Sequence, residues 1–94
     1  MIDLREAARG KPCTLMLPQI CNGRWETTVL AHIRRLPFCG VGLKPPDILG
    51  VRACSSCHDA MDMRARRPDG GDFESTLLTA LMRTLTAYDD EGLL

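Results

Sequence analysis

Cys54 and Cys57, with His58 directly behind them, are the most chemically loaded stretch of this 94-residue sequence. Two thiolates three positions apart at a strand-to-helix turn can converge on one zinc ion. A closed structural zinc site needs two more ligands, and Cys13 and Cys21, separated by seven residues that include Pro18, can supply them. Cys39 is the rival: it can replace one of the four or pack as a small apolar residue. A thioredoxin-like redox role for the CxxC calls for a βαβ context that this pattern does not offer.

His58 falls in the first turn of the helix expected after Cys54, where the macrodipole disfavours the imidazolium and keeps a neutral nitrogen ready for a metal. Asp59 and Asp62 follow on the same helix, and a carboxylate suits a hard cation such as Mg²⁺ or Mn²⁺. The other of the two histidines, His32, lies in the β-branched run from Thr27 to Ile33. A histidine on a strand and one on a helix facing it can meet in one cleft. One can then activate water while the other, with Asp59 or Asp62, holds a divalent cation on a phosphate, which are the two needs of phosphodiester hydrolysis.

The elements that must position these groups follow in order. A short helix over 3–9 ends at Gly10 and Pro12. An extended Cys13–Leu17 segment and a Cys21-Asn22-Gly23 turn make a zinc knuckle over 13–26. Thr27–Ile33 reads as a first strand, residues 34–46 as a long basic loop with three prolines, and Ile48–Ala53 as a second strand with a bulge at Gly50. Ser55 or Ser56 caps a helix running to about Arg67, broken by Pro68-Asp69-Gly70-Gly71. Asp72 caps a last helix over 72–88, whose Phe73, Leu77, Leu78, Leu81, Leu85 and Tyr88 recur along one packing face. The same helix offers Leu81, Met82 and Leu85 as a face for a homodimer.

With only Trp25, Phe38, Phe73 and Tyr88 as aromatics, the core of this single domain over 1–94 is thin, and a metal staple offsets part of the ordering entropy. No run approaches the roughly 20 apolar residues of a membrane span, and the first residues do not read as a signal peptide. The expected setting is cytoplasmic, without a membrane partner, where clustered cysteines read as metal ligands. The net charge is zero but segregated: residues 1–67 carry 11 basic and 6 acidic side chains, residues 68–94 carry 1 and 6. A basic body can hold a phosphate backbone, with Arg34, Arg35, Lys44, Arg52, Arg64, Arg66 and Arg67 as the candidate contacts.

Residues 27–67 resemble the HNH (His-Me finger) nucleases, which place a histidine in a strand, an Asn-like residue after a loop and a metal-binding histidine on a helix. Over its whole length the chain also resembles a family of small prophage-encoded proteins assigned as nucleases, through Ala7-Ala8-Arg9-Gly10, Leu30-Ala31-His32-Ile33-Arg34 and Lys44-Pro45-Pro46-Asp47. The resemblance implies an α+β fold, a zinc-stapled ββα-metal unit over 27–67 with a C-terminal packing helix. It puts His32 in the general-base position, Asp47 in that of the orienting Asn, His58 in that of the metal ligand, and Cys54 and Cys57 in that of the zinc pair. Two departures stand out. Ala31 occupies a position where many HNH enzymes carry a second metal ligand, and Asp47 replaces an Asn whose hydrogen bond it can still accept. The expected function is a metal-dependent DNA endonuclease with structural Zn²⁺ and catalytic Mg²⁺ or Mn²⁺. The alternative is a non-catalytic zinc-knuckle module that binds nucleic acid or a partner protein.

Overall fold

The computed structural model describes residues 3–34, 40, 42–62 and 73–94. Arg35, Cys39, Arg64, Arg66, Arg67 and Asp72 lie outside the described residues. Helix α1 spans Leu4–Ala8, strand β1 Val29–His32, strand β2 Gly50–Ala53, helix α2 Ser55–Met61 and helix α3 Phe73–Asp90. The fold is a small α+β arrangement in which the order strand, strand, helix expected from the sequence is present.

Local chemistry explains most of the boundaries. Asp3 is the N-cap of α1, its carboxylate accepting from the Arg5 and Glu6 N–H groups. Cys13–Leu17, expected to be extended, instead turns: Met16 and Gln19 sit at positive φ, and the Ile20 and Cys21 N–H groups both donate to the Leu17 carbonyl. Trp25–Thr27 forms a single 3-10 turn that the sequence pattern did not suggest. Cys54, not Ser55 or Ser56, caps α2, its sulfur accepting from the Cys57 N–H.

β1 and β2 pair antiparallel, with Val29 opposite Ala53 and His32 opposite Gly50, and one further bond runs from the Ile33 N–H to the Leu49 carbonyl. The bulge expected at Gly50 is corrected to a regular pairing. Glycine is required there by close approach: a Cβ would lie 2.9 Å from Leu30 Cδ1 and 3.1 Å from the Ala31 carbonyl oxygen. The outer edge of β2 is closed by side and main chain together. The Arg52 carbonyl accepts from Thr14 N–H and its hydroxyl, while the Arg52 N–H donates to Thr84 Oγ1. An exposed two-stranded edge would be a template for unwanted pairing.

α3 packs on β2, with Thr84 and Tyr88 against Arg52, and buries Phe73 and Ala80 as well. Leu77 and Leu81 pack against the core, but Leu78, expected on that face, is 60% exposed. Of the face expected to self-associate, Leu81 is therefore used internally, and Met82 is 61% exposed. The helix runs past its expected end at Tyr88 because Gly92, at φ +73, closes it: the Leu93 N–H donates to the Tyr88 carbonyl and the Gly92 N–H to that of Asp89.

That cap holds Glu91 where it meets Arg52. Arg52 Nη1 and Nη2 donate to the two Glu91 carboxylate oxygens at 2.6 and 2.8 Å, and the guanidinium carbon lies 5.0 Å from the Tyr88 ring centroid. Arg52 is 1% exposed, which overturns its expected role as a phosphate contact: its charge is spent inside the fold. The Arg52 hydrogen bonds hold the Glu91 carboxyl below the usual glutamate range.

Glu91→Ala leaves a buried guanidinium without its anion and should lower the unfolding free energy by about 2–3 kcal/mol in chemical denaturation. Because the Glu91 carboxyl is depressed in the folded state, its stabilisation is intact at neutral pH and is lost as pH falls below the ordinary glutamate value; the variant should lack that acid-dependent loss. Gly50→Ala should cost about 1–3 kcal/mol by the same measurement, since the added methyl must displace Leu30 and the backbone of β1.

Candidate functional site

The knuckle and the strand-to-helix junction bring four sulfurs together. The Sγ atoms of Cys13, Cys21, Cys54 and Cys57 all lie within 4.8 Å of one another, with Cys21 and Cys54 at 3.9 Å. A tetrahedral zinc site with Zn–S bonds of about 2.3 Å requires sulfurs about 3.8 Å apart. No disulfide joins them, and Cys13, Cys54 and Cys57 are buried. The quartet can hold a metal such as zinc.

Main-chain donors point at the sulfurs, as a thiolate site requires. The Met16 N–H reaches Cys13 Sγ at 3.3 Å and the Cys57 N–H reaches Cys54 Sγ at 3.4 Å. The left-handed turn at Met16 is what aims the first of these. The Cys57 thiol and then the Met16 N–H lower the Cys13 pKa to about 5, while proximity to Cys13 and burial push Cys57 up. Burial raises Cys21 as well. Crowded sulfurs without a cation therefore share protons, and a divalent cation releases that conflict.

The histidines form two separate pairs. His32 Nε2 lies 2.7 Å from Asp47 Oδ1, and Arg5 of α1 approaches the same carboxylate oxygen at 3.4 Å. The His32 hydrogen bond, reinforced by the Arg5 charge, holds Asp47 below the usual carboxylate range. An ionised Asp47 can only accept, so in the neutral imidazole Nε2 carries the hydrogen and Nδ1 keeps its lone pair. On α2, His58 Nε2 lies 3.3 Å from Asp62 Oδ2, one helical turn on.

The pleat of β1 decides which side each residue serves. Ala31 enters the core cluster with the cysteines, Val51, Ala53 and Ala60. Its neighbour His32 therefore leaves the hairpin on the opposite face, with Leu30, Gly50 and Arg52, where Asp47 and α1 receive it. Among the described residues, no set of three or more His, Cys, Asp or Glu side chains other than the cysteine quartet converges as a metal site. Each histidine expected to line one cleft is found hydrogen-bonded to its own carboxylate, His32 to Asp47 and His58 to Asp62. Arg34 and Lys44, expected to contact phosphates, are exposed.

One network escaped sequence reading. Asn22 Nδ2 donates to Ser55 Oγ, Ser56 Oγ and Thr27 Oγ1, and the Ser55 N–H donates to Thr27 Oγ1. The knuckle is thereby tied to the first turn of α2. Asn22 in an Asn-Gly turn was the available signal, but a turn residue does not announce a partner 33 residues away.

Together these features define a small α+β protein built on an antiparallel hairpin, a metal-capable cysteine knuckle and a carboxylate-held histidine. The chain belongs to the YbcO family: the family described as Putative nuclease YbcO matches residues 2–93. It is 46% identical over 94 residues to "Putative nuclease YbcO" of Escherichia coli (strain K12), covering 100% of this chain and 98% of that protein. The likeness to "Putative nuclease ybcO" of Enterobacteria phage 82 has the same identity and coverage. A solved structure titled "Structure of a putative bacteriophage protein from Escherichia coli str. K-12 substr. MG1655" superposes with a TM-score of 0.79 at 41% identity, covering 96% of this chain and 100% of that one.

The quartet predicts one zinc per chain after exhaustive dialysis, measured by elemental analysis. Cys57→Ala should lose the metal and the cooperative unfolding transition.

Proposed function

We propose that this protein is a metal-dependent endonuclease that hydrolyses phosphodiester bonds in DNA, acting as one domain in the cytoplasm. The observation that carries the reading is the 2.7 Å His32–Asp47 hydrogen bond, in a chain whose family is described as a nuclease. His32 Nδ1 is the general base that takes a proton from water. Asp47 orients the ring and stabilises the imidazolium that results, as a carboxylate beside a histidine does in other hydrolytic sites. The His32 hydrogen bond, with the Arg5 charge behind it, keeps Asp47 ionised, and Arg5 places a positive charge at the same site.

His58 and Asp62 offer one nitrogen and one oxygen, a donor pair that fits Mg²⁺ or Mn²⁺ with water and phosphate completing the shell. A cation bound there supplies Lewis-acid stabilisation of the charge developing on the phosphate. Cys13, Cys21, Cys54 and Cys57 hold structural Zn²⁺, which fixes the start of α2 and with it the direction of His58. Exposed Arg34 and Lys44 contact the phosphate backbone, giving binding that weakens with salt.

A non-catalytic zinc module is the second reading, favoured by one observation: Ala31 supplies no ligand and faces the core. Plasmid nicking with Mg²⁺ or Mn²⁺ separates the two. On the nuclease reading His32→Ala lowers the rate by about 10²- to 10⁴-fold, and His58→Ala raises the metal concentration required. Equal, background-level nicking by wild type and His32→Ala with both metals would sink the nuclease reading.

A further inference from the structure

Trp25 is the chain's one tryptophan, and it is 55% exposed. A side chain of this size normally contributes to a core, and here the core is short of aromatics. Its exposure does not come from a loose segment. Trp25 opens the 3-10 turn Trp25–Thr27, which is pinned at both ends: Arg24 N–H donates to Asn22 Oδ1 at 2.8 Å, and Thr27 Oγ1 donates to the Arg24 carbonyl at 2.8 Å. Thr27 Oγ1 also accepts from the Ser55 N–H at the start of α2. The indole is therefore presented on a frame shared by the cysteine knuckle and the helix that carries His58.

Its surroundings fit a nucleotide. Arg24, beside it, is exposed, and its partner Glu26 at 2.9 Å is equally exposed, so that ion pair is weak in water and open to exchange for a phosphate. β1 runs from this turn to His32, about 10 Å of strand. A base in an intact duplex is stacked on its neighbours and leaves no face for an indole; an unpaired base does.

We propose that Trp25 is a base-stacking platform, with Arg24 as its phosphate contact, and that the nucleic acid engaged here is single-stranded or locally opened. The proposal rests on the nuclease reading above and adds a substrate form to it.

Trp25 fluorescence reports the contact directly. The full-length protein, with no Mg²⁺ or Mn²⁺ added, is titrated with a labelled short oligothymidylate and with a labelled duplex of the same length, following indole emission and label anisotropy together. The expected result is saturable quenching that tracks oligothymidylate binding, with weaker binding and little quenching for the duplex. Trp25→Ala should weaken oligothymidylate binding by about 5- to 150-fold, and Trp25→Phe should restore most of it. Both variants should unfold at the wild-type temperature, because the side chain is exposed. Oligothymidylate binding without an emission change, or with wild-type affinity in Trp25→Ala, overturns the stacking role and leaves the nuclease reading standing. Absence of binding to either nucleic acid overturns both. An emission shift with protein concentration alone assigns the indole to self-association and overturns the proposal.

Discussion

Four sulfurs gathered within 4.8 Å are the constraint on which the other elements depend. Two come from a knuckle near the N-terminus and two from the junction of β2 and α2, so the cluster closes a loop of more than thirty residues. That closure is costly in chain entropy, and the apolar material available to offset it is small: Leu15, Leu17, Ala31, Val51, Ala53 and a few neighbours, packed around the cysteines themselves. The cysteines are thus part of the core as well as a candidate metal site. A cation that takes all four thiolates couples its binding free energy to the ordering of both segments.

A second long-range contact fixes the C-terminal helix. Arg52 and Glu91 are 39 residues apart, and their bidentate pair lies against the Tyr88 ring at the end of α3. Burying a guanidinium is tolerable only because both its terminal nitrogens find the carboxylate. The pair also changes the meaning of the segregated charge in the sequence. Part of the imbalance between the basic first 67 residues and the acidic remainder is satisfied within the molecule, not held for a partner.

The site chemistry is shaped by the pleat of β1. Successive residues leave a strand on opposite faces, so once Ala31 is committed to the cysteine-lined core, His32 must face α1 and the Pro46–Leu49 turn. There it finds Asp47, and Asp47 finds Arg5. The result is a histidine held by a carboxylate that is held in turn by a guanidinium, contributed by three different elements of the chain.

Much of this was legible without coordinates where the signal is local or chemical. The CxxC spacing, the need for two more thiolates and the order of strands and helix could be read from residue types, and the pairing of His32 with Asp47 from family likeness alone. What lay beyond reach depends on contacts between distant segments. Nothing near Arg52 marks it as buried, because its partner lies beyond the helix end that the periodicity suggests, and only Gly92 hints that the helix continues. Cys54 displaces the serines as cap because its sulfur is already placed by the knuckle. Trp25 looks like a core residue by composition and is exposed because an Asn22–Ser55–Thr27 network holds its turn at the surface. Residue chemistry and spacing set which groups can act; which face each one occupies was decided only when the cysteines and the Arg52–Glu91 pair brought sequence-distant segments into contact, since strand alternation and helix phase carry no information about the side from which a partner will arrive.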